Sequence, residues 1–328
     1  MFVIKVMGLK RTIQKSALMA VLLLASQGAW AQMDVQFSDY VRLKSYYNPA
    51  VSGTDGLLNV VGAYVMQFVG YDDAPKTMYV SADIPIFFLS PRHGAGVSLM
   101  SDDVGIFRQQ TISLQYAFNM KLGKKSRLAI GVNGGLIQET IDASGITLPE
   151  TGKDVAADPA FPSSEVKGSH VDLSAGIYFY HPKYWGGISV RHLAAPLIEV
   201  GETTLYQIDR TYYLMGGGNI RLKNSLFSLH PSFMVMSDMK NWREDVQLKV
   251  SYEFEERSFY AGVGYSPDIS TTFFLGGKFH GIGLGYSYQM FTTGVGMLNG
   301  SHEITLGYQT ELDLFKKGRN RHKSVRFL

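Results

Sequence analysis

The sequence predicts an all-β fold, specifically a transmembrane antiparallel up-and-down β-barrel of about 14 strands. Three observations predict this fold: recurrent alternation of apolar with small or polar residues, a mean hydropathy of −0.01 although 45% of the residues are hydrophobic, and connections that alternate in length. Membrane-spanning helices would need apolar runs of about 20 residues. The strands of a barrel instead alternate between a lipid-facing and a lumen-facing side, so their hydropathy averages near zero.

Residues 246–254 give the clearest alternation, because every even position holds a large apolar residue and every odd position a polar one. Successive side chains of a strand point to opposite faces, so such a run has one apolar face. Similar runs lie at 57–70, 76–86, 94–102, 107–121, 126–141, 169–180, 184–194, 210–222, 225–237, 243–254, 257–266, 270–280, 281–291 and 302–312. A soluble β-sandwich of this length would need two domains and a linker, and the runs continue without one.

The connections between these runs predict the orientation. If the N-terminus is periplasmic, the long connections 142–168 and 195–209 both lie outside the cell. The other set is short, as at 122–125, 181–183 and 223–224. Short periplasmic turns and longer external loops are typical of membrane barrels.

Residues 1–31 are predicted to be a secretory signal peptide. Basic residues open the chain, an apolar stretch covers 17–25, and Ala29-Trp30-Ala31 is a small-residue cleavage motif. The apolar stretch is too short for a membrane anchor helix. The basic residues of the signal are Lys5, Lys10, Arg11 and Lys15.

Removing the signal changes the net charge from +3 to −1, so the basic whole-chain composition does not indicate a nucleic-acid partner.

Residues 32–56 do not alternate and are predicted to be an N-terminal periplasmic or plug segment. Residues 57–312 are predicted to form the outer-membrane barrel, and 313–328 a basic periplasmic tail. The tail is a candidate docking peptide for a periplasmic partner or, alternatively, a solvated end near lipid headgroups. Its candidate partner-binding residues are Lys316, Lys317, Arg319, Arg321, Lys323 and Arg326.

The composition gives no sign of catalysis, a cofactor or a metal site. The chain has no cysteine, which excludes a disulfide framework, a thiolate nucleophile and lipid attachment through a cysteine. Ser169-His170 and Ser301-His302 occur without a G-x-S-x-G motif. Asp154, Asp158 and Glu165 lie in the long loop without the spacing of a calcium loop. Six glycines are predicted to face the lumen: Gly131, Gly135, Gly176, Gly217, Gly262 and Gly264. They could leave space for a plug or a passing chain, or they could relieve strain in the curved barrel wall.

Several segments together resemble the PorP/SprF family of the type IX secretion system, over about residues 36–310. The opening Gln36-Phe37-Ser38 followed by Tyr46-Tyr47-Asn48-Pro49-Ala50 is similar to the start of that family. Residues 67–70 and 74–77 resemble its first hairpin, residues 94–105 its third strand and loop, and residues 300–308 its closing strand.

The resemblance implies a non-enzymatic outer-membrane protein that serves protein secretion or gliding motility. One branch resembles PorP, which works with the periplasmic PorK/PorN ring, and this branch is preferred to the other. The family-like motifs and the basic tail favour a secretion component over a solute channel. Its implied partners are PorK/PorN-like proteins, other type IX secretion components, outer-membrane lipid and secreted cargo. The alternatives are an SprF-like barrel that exports or anchors a surface adhesin, and a general porin or solute channel.

Overall fold

The computed structural model describes residues 34–71, 73–86, 92–142, 165–201, 204–223, 226–255, 257–293 and 299–311. The described residues contain a four-residue helix, α1 (Lys44–Tyr47), and a 3-10 turn at Pro49–Val51. Neither helix is long and apolar enough to cross a membrane. The strands are β1 (Leu58–Met66), β2 (Lys76–Pro85), β3 (His93–Val104), β4 (Phe107–Lys121), β5 (Arg127–Ile141), β6 (Val166–His181), β7 (Tyr184–Arg191), β8 (Leu197–Val200), β9 (Thr204–Gln207), β10 (Thr211–Gly218), β11 (Ile220–Arg221), β12 (Phe227–Ser237), β13 (Trp242–Phe254), β14 (Arg257–Ser266), β15 (Ser270–Phe279), β16 (Ile282–Phe291) and β17 (Ser301–Thr310).

Fourteen of the described strands form one closed antiparallel barrel, which confirms the predicted fold class. They are β1–β7, β10 and β12–β17, and sequential neighbours pair throughout. The ring closes where β1 pairs with β17, from Leu58 opposite Thr310 to Met66 opposite His302. Closure gives every barrel strand two hydrogen-bonded neighbours and leaves no open edge.

The two faces of the wall follow the alternation of the sequence. On β4 the Leu114 side chain is 68% exposed on the outer face, while its neighbour Gln115 is 6% exposed on the inner face. The same alternation places Val80 outside and Ser81 inside on β2. The outer surface is therefore a broad apolar belt, and the inner surface is polar or small.

The barrel has two distinct ends. The turns after β2, β4, β6, β13 and β15 lie at one end together with the start of β1 and the end of β17, and we call it the short-turn end. The connections from β5 to β6 and from β7 to β10 lie at the opposite, long-loop end.

Two details of the β7–β12 region differ from the sequence-based expectation. The connection from β7 to β10 contains a hairpin, β8 paired with β9, whose Ile198 and Val200 pack on Ile137 and Ile141. The predicted strand 210–222 is interrupted at Asn219, which leaves β11 as a two-residue piece on β12. The Asn219 backbone N–H donates to the Lys183 carbonyl (2.8 Å), one position beyond the last β7–β10 pair, Gly218 opposite Tyr184. On the other side, the β10–β12 register places Pro231, which has no backbone N–H to donate, opposite Gly218.

Candidate functional site

The lumen contains the first described part of the chain, residues 34–57, which we call the N-terminal segment. Its large side chains are almost fully buried, with exposed fractions of 7% or less for Phe37, Tyr40, Leu43, Tyr46 and Tyr47. Tyr46 packs edge-on against Phe37 (ring centroids 5.0 Å apart) and against Tyr47 (4.9 Å). The lumen is polar and small in character, so the segment itself supplies much of its apolar core.

The wall accommodates this segment through a row of small residues on five adjacent strands. Strand register places Gly94, Ala117, Gly131, Gly176 and Ser189 side by side across β3–β7, and we call them the small-residue row. A Cβ at three of these positions would collide with the segment: Gly94 with the Ser52 carbonyl, Gly131 with the Ala50 backbone, and Gly176 with the Asn48 side chain. The row is therefore a shallow groove that runs across the strands and receives residues 47–53.

Asn48 fixes the segment to the groove with three hydrogen bonds. Its Nδ2 donates to the carbonyls of Ile177 (3.0 Å) and Ile188 (3.2 Å), which face each other across β6 and β7. Its Oδ1 accepts from the Ala50 backbone N–H (2.9 Å) and so caps the 3-10 turn. Ser189 donates to the Tyr47 carbonyl (2.7 Å) one residue earlier.

At the long-loop end, Asp34 lies in a buried ion cluster. Its carboxylate is 2.9 Å from Nη1 of Arg191, 3.3 Å from Nε2 of His192, and accepts a hydrogen bond from the Tyr213 hydroxyl (2.7 Å). His192 Nδ1 is also 3.1 Å from Asp172 Oδ1, a distance that suits an ion pair although the two atoms are poorly aligned for a hydrogen bond. Two carboxylates thus face two cations, and the buried charges compensate each other.

The pKa values of the two groups outside the strands follow from this arrangement. Burial alone would raise the pKa of Asp34, but the Arg191 and His192 charges outweigh it and hold that pKa well below its usual range. Burial would lower the pKa of His192, but the Asp34 charge, the adjacent Asp172 carboxylate and the hydrogen bond to Asp34 raise it to about 9. Both groups are therefore charged at neutral pH.

A second charged cluster holds the segment to β13 and β17. Glu303 accepts hydrogen bonds from the backbone N–H groups of Ser38 (2.6 Å) and Asp39 (3.0 Å). Lys249 Nζ donates to Asp39 Oδ1 (2.5 Å). Arg42 Nε lies 3.7 Å from the same Asp39 carboxylate. The segment is thus tied to strands on both sides of the lumen.

Near the short-turn end the segment is held by polar contacts to β2, β4 and β5. Ser52 donates to Gln115 Oε1 (2.7 Å), and the Gly53 backbone N–H donates to Asp83 Oδ2 (2.8 Å). Arg127 donates to the carbonyl of Thr54 (2.7 Å). The segment therefore spans the lumen from the Asp34 cluster to the start of β1.

The residues singled out from the sequence fall in different places. Several of them lie outside the described residues: the six cations of the basic tail, the signal peptide, Asp154 and Asp158. Glu165 pairs with Lys167 (2.6 Å) at an exposed position. Within the described part of the chain, no group of three or more His, Asp or Glu side chains is arranged to hold a metal ion. Of the glycines considered as lumen residues, Gly131 and Gly176 contact the N-terminal segment; Gly135, Gly217, Gly262 and Gly264 instead lie against wall residues of β4, β7, β13 and β15.

Sequence reasoning missed the two charged clusters. Glu303 and Lys249 fall on the polar face of their alternating strands, so their inward direction was available from the pattern. Their pairing with Asp39 was not available, because about 210 residues or more separate these groups along the chain. Nothing near His192 in the sequence indicates Asp34 as its partner.

A closed barrel with an apolar outer belt and a lumen crossed by its own N-terminal segment defines an integral outer-membrane β-barrel protein. The chain belongs to the family described as type IX secretion system membrane protein PorP/SprF, whose model matches residues 29–308. This family and the solved barrels that share the fold are described as secretion or transport proteins.

Solved structures with this fold share little sequence with the chain. The CymD monoaromatic hydrocarbon channel has a TM-score of 0.50 at 12% identity, covering 88% of this chain and 96% of that one. The toluene transporter TodX of Pseudomonas putida has a TM-score of 0.48 at 9% identity, covering 85% and 95%. A comparison with curated proteins finds no match. The likeness to CymD concerns the fold alone.

Proposed function

We propose that this protein is an outer-membrane component of the type IX secretion system that attaches to, or works with, a periplasmic ring of PorK-like and PorN-like proteins. Its short-turn end then faces the periplasm, as short turns do in bacterial barrels. Membership of the PorP/SprF family supports a role in secretion.

The occupied lumen is the observation that favours action through protein contacts. The N-terminal segment spans the barrel and is anchored to strands around it, from Asp34 on Arg191, through Asp39 on Lys249, to Gly53 on Asp83. A solute channel needs a continuous polar or apolar path, and this segment fills much of the space that such a path would use.

The basic tail is the proposed contact with the ring. It follows β17, which ends at Thr310 at the short-turn end, so it leaves the barrel on the proposed periplasmic side. Its six cations, Lys316, Lys317, Arg319, Arg321, Lys323 and Arg326, would pair with an acidic surface.

Affinity purification from detergent-solubilised native membranes tests the ring proposal. Three versions are compared: the native protein, a truncation that removes 315–328, and a full-length version in which the six tail cations are Gln. Co-purification of PorK-like and PorN-like proteins with the native protein, and its loss in both variants, would support the ring and its contact through charge. Recovery of one large surface adhesin instead would favour an SprF-like cargo anchor.

A channel is the second candidate, favoured by the fold that the chain shares with CymD. Planar-bilayer recording separates it from the first. We expect the native protein to be nearly closed and a deletion of 34–54 to open a steady conductance. A large conductance of the native protein, unchanged by the deletion, would support the channel and contradict a filled lumen.

A further inference from the structure

The two ends of the barrel differ in how their charges are paired. At the long-loop end three of the exposed cations lie beside carboxylates, in the pairs Arg108–Asp103 (2.5 Å), Lys167–Glu165 (2.6 Å) and Lys240–Asp209 (2.6 Å). Lys76 and Arg210 at the same end have no such partner in the described part of the chain. At the short-turn end seven exposed cations have no carboxylate within ion-pair distance among the described residues. These cations are Lys121, Lys124, Lys125, Lys183, Arg221, Lys223 and Arg257.

Two of these cations line a cleft of about 750 Å³ at the short-turn end. Lys183 comes from the β6–β7 turn and Arg221 from β11, and the floor is formed by Ser228 and His230 of β12. Glu253 carries the negative charge among the described lining residues. The volume falls within the roughly 300–1,000 Å³ that is usual for binding sites.

Hydrogen bonds hold the cleft in shape. Asn219, where the strand breaks, donates through its backbone to the Lys183 carbonyl (2.8 Å) and through its side chain to the Pro182 carbonyl (3.1 Å). His230 joins Asn219 Oδ1 (2.9 Å) to Ser251 Oγ (2.8 Å). The walls are therefore ordered before anything binds, which lowers the entropic cost of binding.

The position of the cleft excludes several occupants. Ser228 and His230 have the same strand parity as Ser232, which contacts Tyr40 in the lumen, so the floor faces inward and away from the lipid. The N-terminal segment contributes no described residue to the lining. The chain's own tail leaves the barrel at this end, but its six cations would be repelled by Lys183 and Arg221.

We propose that this cleft binds an acidic polypeptide segment of a periplasmic partner, with its carboxylates paired to Lys183 and Arg221. The inference rests on the proposed function, because it takes the short-turn end to be periplasmic and the protein to act through protein contacts. The unpaired cations of the surrounding rim would steer such a segment toward the cleft.

A labelled oligoglutamate peptide tests the cleft on the purified full-length mature barrel in non-ionic detergent. Fluorescence anisotropy gives its Kd for the native protein, for Lys183→Gln/Arg221→Gln, and for Lys124→Gln/Lys125→Gln, which removes the same charge from the β4–β5 turn of the same rim. We expect the cleft variant to raise Kd by roughly fivefold or more and the control by less than about twofold, since each exposed ion pair contributes modestly. If both variants weaken peptide binding equally, the binding depends on the general positive charge of the rim and not on the cleft, and the proposal is wrong.

Nanodiscs distinguish a lipid occupant. If phosphatidylglycerol in the disc removes peptide binding, and its own binding depends on Lys183 and Arg221, the cleft is a headgroup site and the proposal is wrong. Absence of peptide binding by the native protein would also overturn it. Failure of the cleft proposal can be distinguished from failure of the proposed function. If the cleft proposal fails and ring proteins still co-purify with the Lys183→Gln/Arg221→Gln variant, the proposed role with the ring is unaffected.

Discussion

Gly131→Ala should loosen the N-terminal segment. The added Cβ would meet the Ala50 nitrogen, the Ala50 Cα and the Pro49 carbonyl carbon, all of them backbone atoms that no rotamer change can move. Overpacking of this kind costs about 1–3 kcal/mol. The ratio of docked to undocked segment should therefore fall by roughly five- to hundredfold.

The chain offers a matched control on the same strand. Gly134 faces outward, and a Cβ there would come no closer than 3.7 Å to Leu173, an ordinary contact. Glycine inside a strand costs about 0.5–1 kcal/mol relative to Ala. Gly134→Ala should therefore be neutral or slightly stabilising, opposite in sign to Gly131→Ala.

Thiol labelling measures the undocked fraction. Because the chain has no cysteine, Ser45→Cys introduces a single reporter at a buried position of the segment. When opening is fast relative to labelling, the maleimide rate follows the open population. We expect faster labelling in Gly131→Ala by about the factor given above and an unchanged rate in Gly134→Ala. Equal rates in the two backgrounds would refute the argument that the small-residue row seats the segment.

Four further outcomes follow from the same structure. The pKa of His192 is raised to about 9 from a usual value of 6.5, so its charged form stabilises the folded state by at most about 3 kcal/mol. This stabilisation is complete below pH 6.5 and is lost as the pH rises through 9. The Tm of the native protein should therefore fall over this range, and the Tm of His192→Gln should change less. The depressed pKa of Asp34 has the reverse sense, so its contribution is lost as the pH falls below about 4, and Asp34→Asn should remove this acid limb of the Tm profile. Glu303→Ala leaves two buried N–H donors without their acceptor, which costs about 1–3 kcal/mol for each donor. In this background the Ser45→Cys reporter should be labelled much faster. Glu303→Gln keeps one acceptor oxygen, so the labelling rate should increase less. Leu114→Arg should cost about 2–4 kcal/mol of unfolding free energy in lipid vesicles and Phe107→Arg, at the strand end, about 0–1; similar costs at both sites would contradict the placement of β4 in the bilayer.

The barrel was predictable from the sequence because its wall obeys a local rule. Alternation along 246–254 assigns each side chain to lipid or lumen, and exposure in the structure follows it from Val246 to Lys249. The β8–β9 hairpin was missed because strands of four residues inside a connection give too short a pattern.

The contacts inside the lumen were less predictable. The lack of alternation in 32–56 separated that region from the wall, and Asn48-Pro49-Ala50 stood out through the family resemblance. The pairing of Asp34 with His192 links residues 158 apart, so it depends on the register of the closed barrel. A polar residue on an inward face is visible in the sequence, whereas the group that it meets across the lumen is not.

The final strand supplies the carboxylate that binds the first part of the segment. Glu303 reaches Ser38 and Asp39 across 265 and 264 residues of sequence, and it lies on the strand that closes the ring against β1. The segment continues directly into β1. Its anchorage on Glu303 and the closure of the ring therefore both depend on the arrival of the last strand, β17. Contacts of such high sequence separation form slowly. A barrel that lacks its last strand would therefore have both an open wall and a loosely held segment, and an assembly or protease system could distinguish this intermediate from the finished protein.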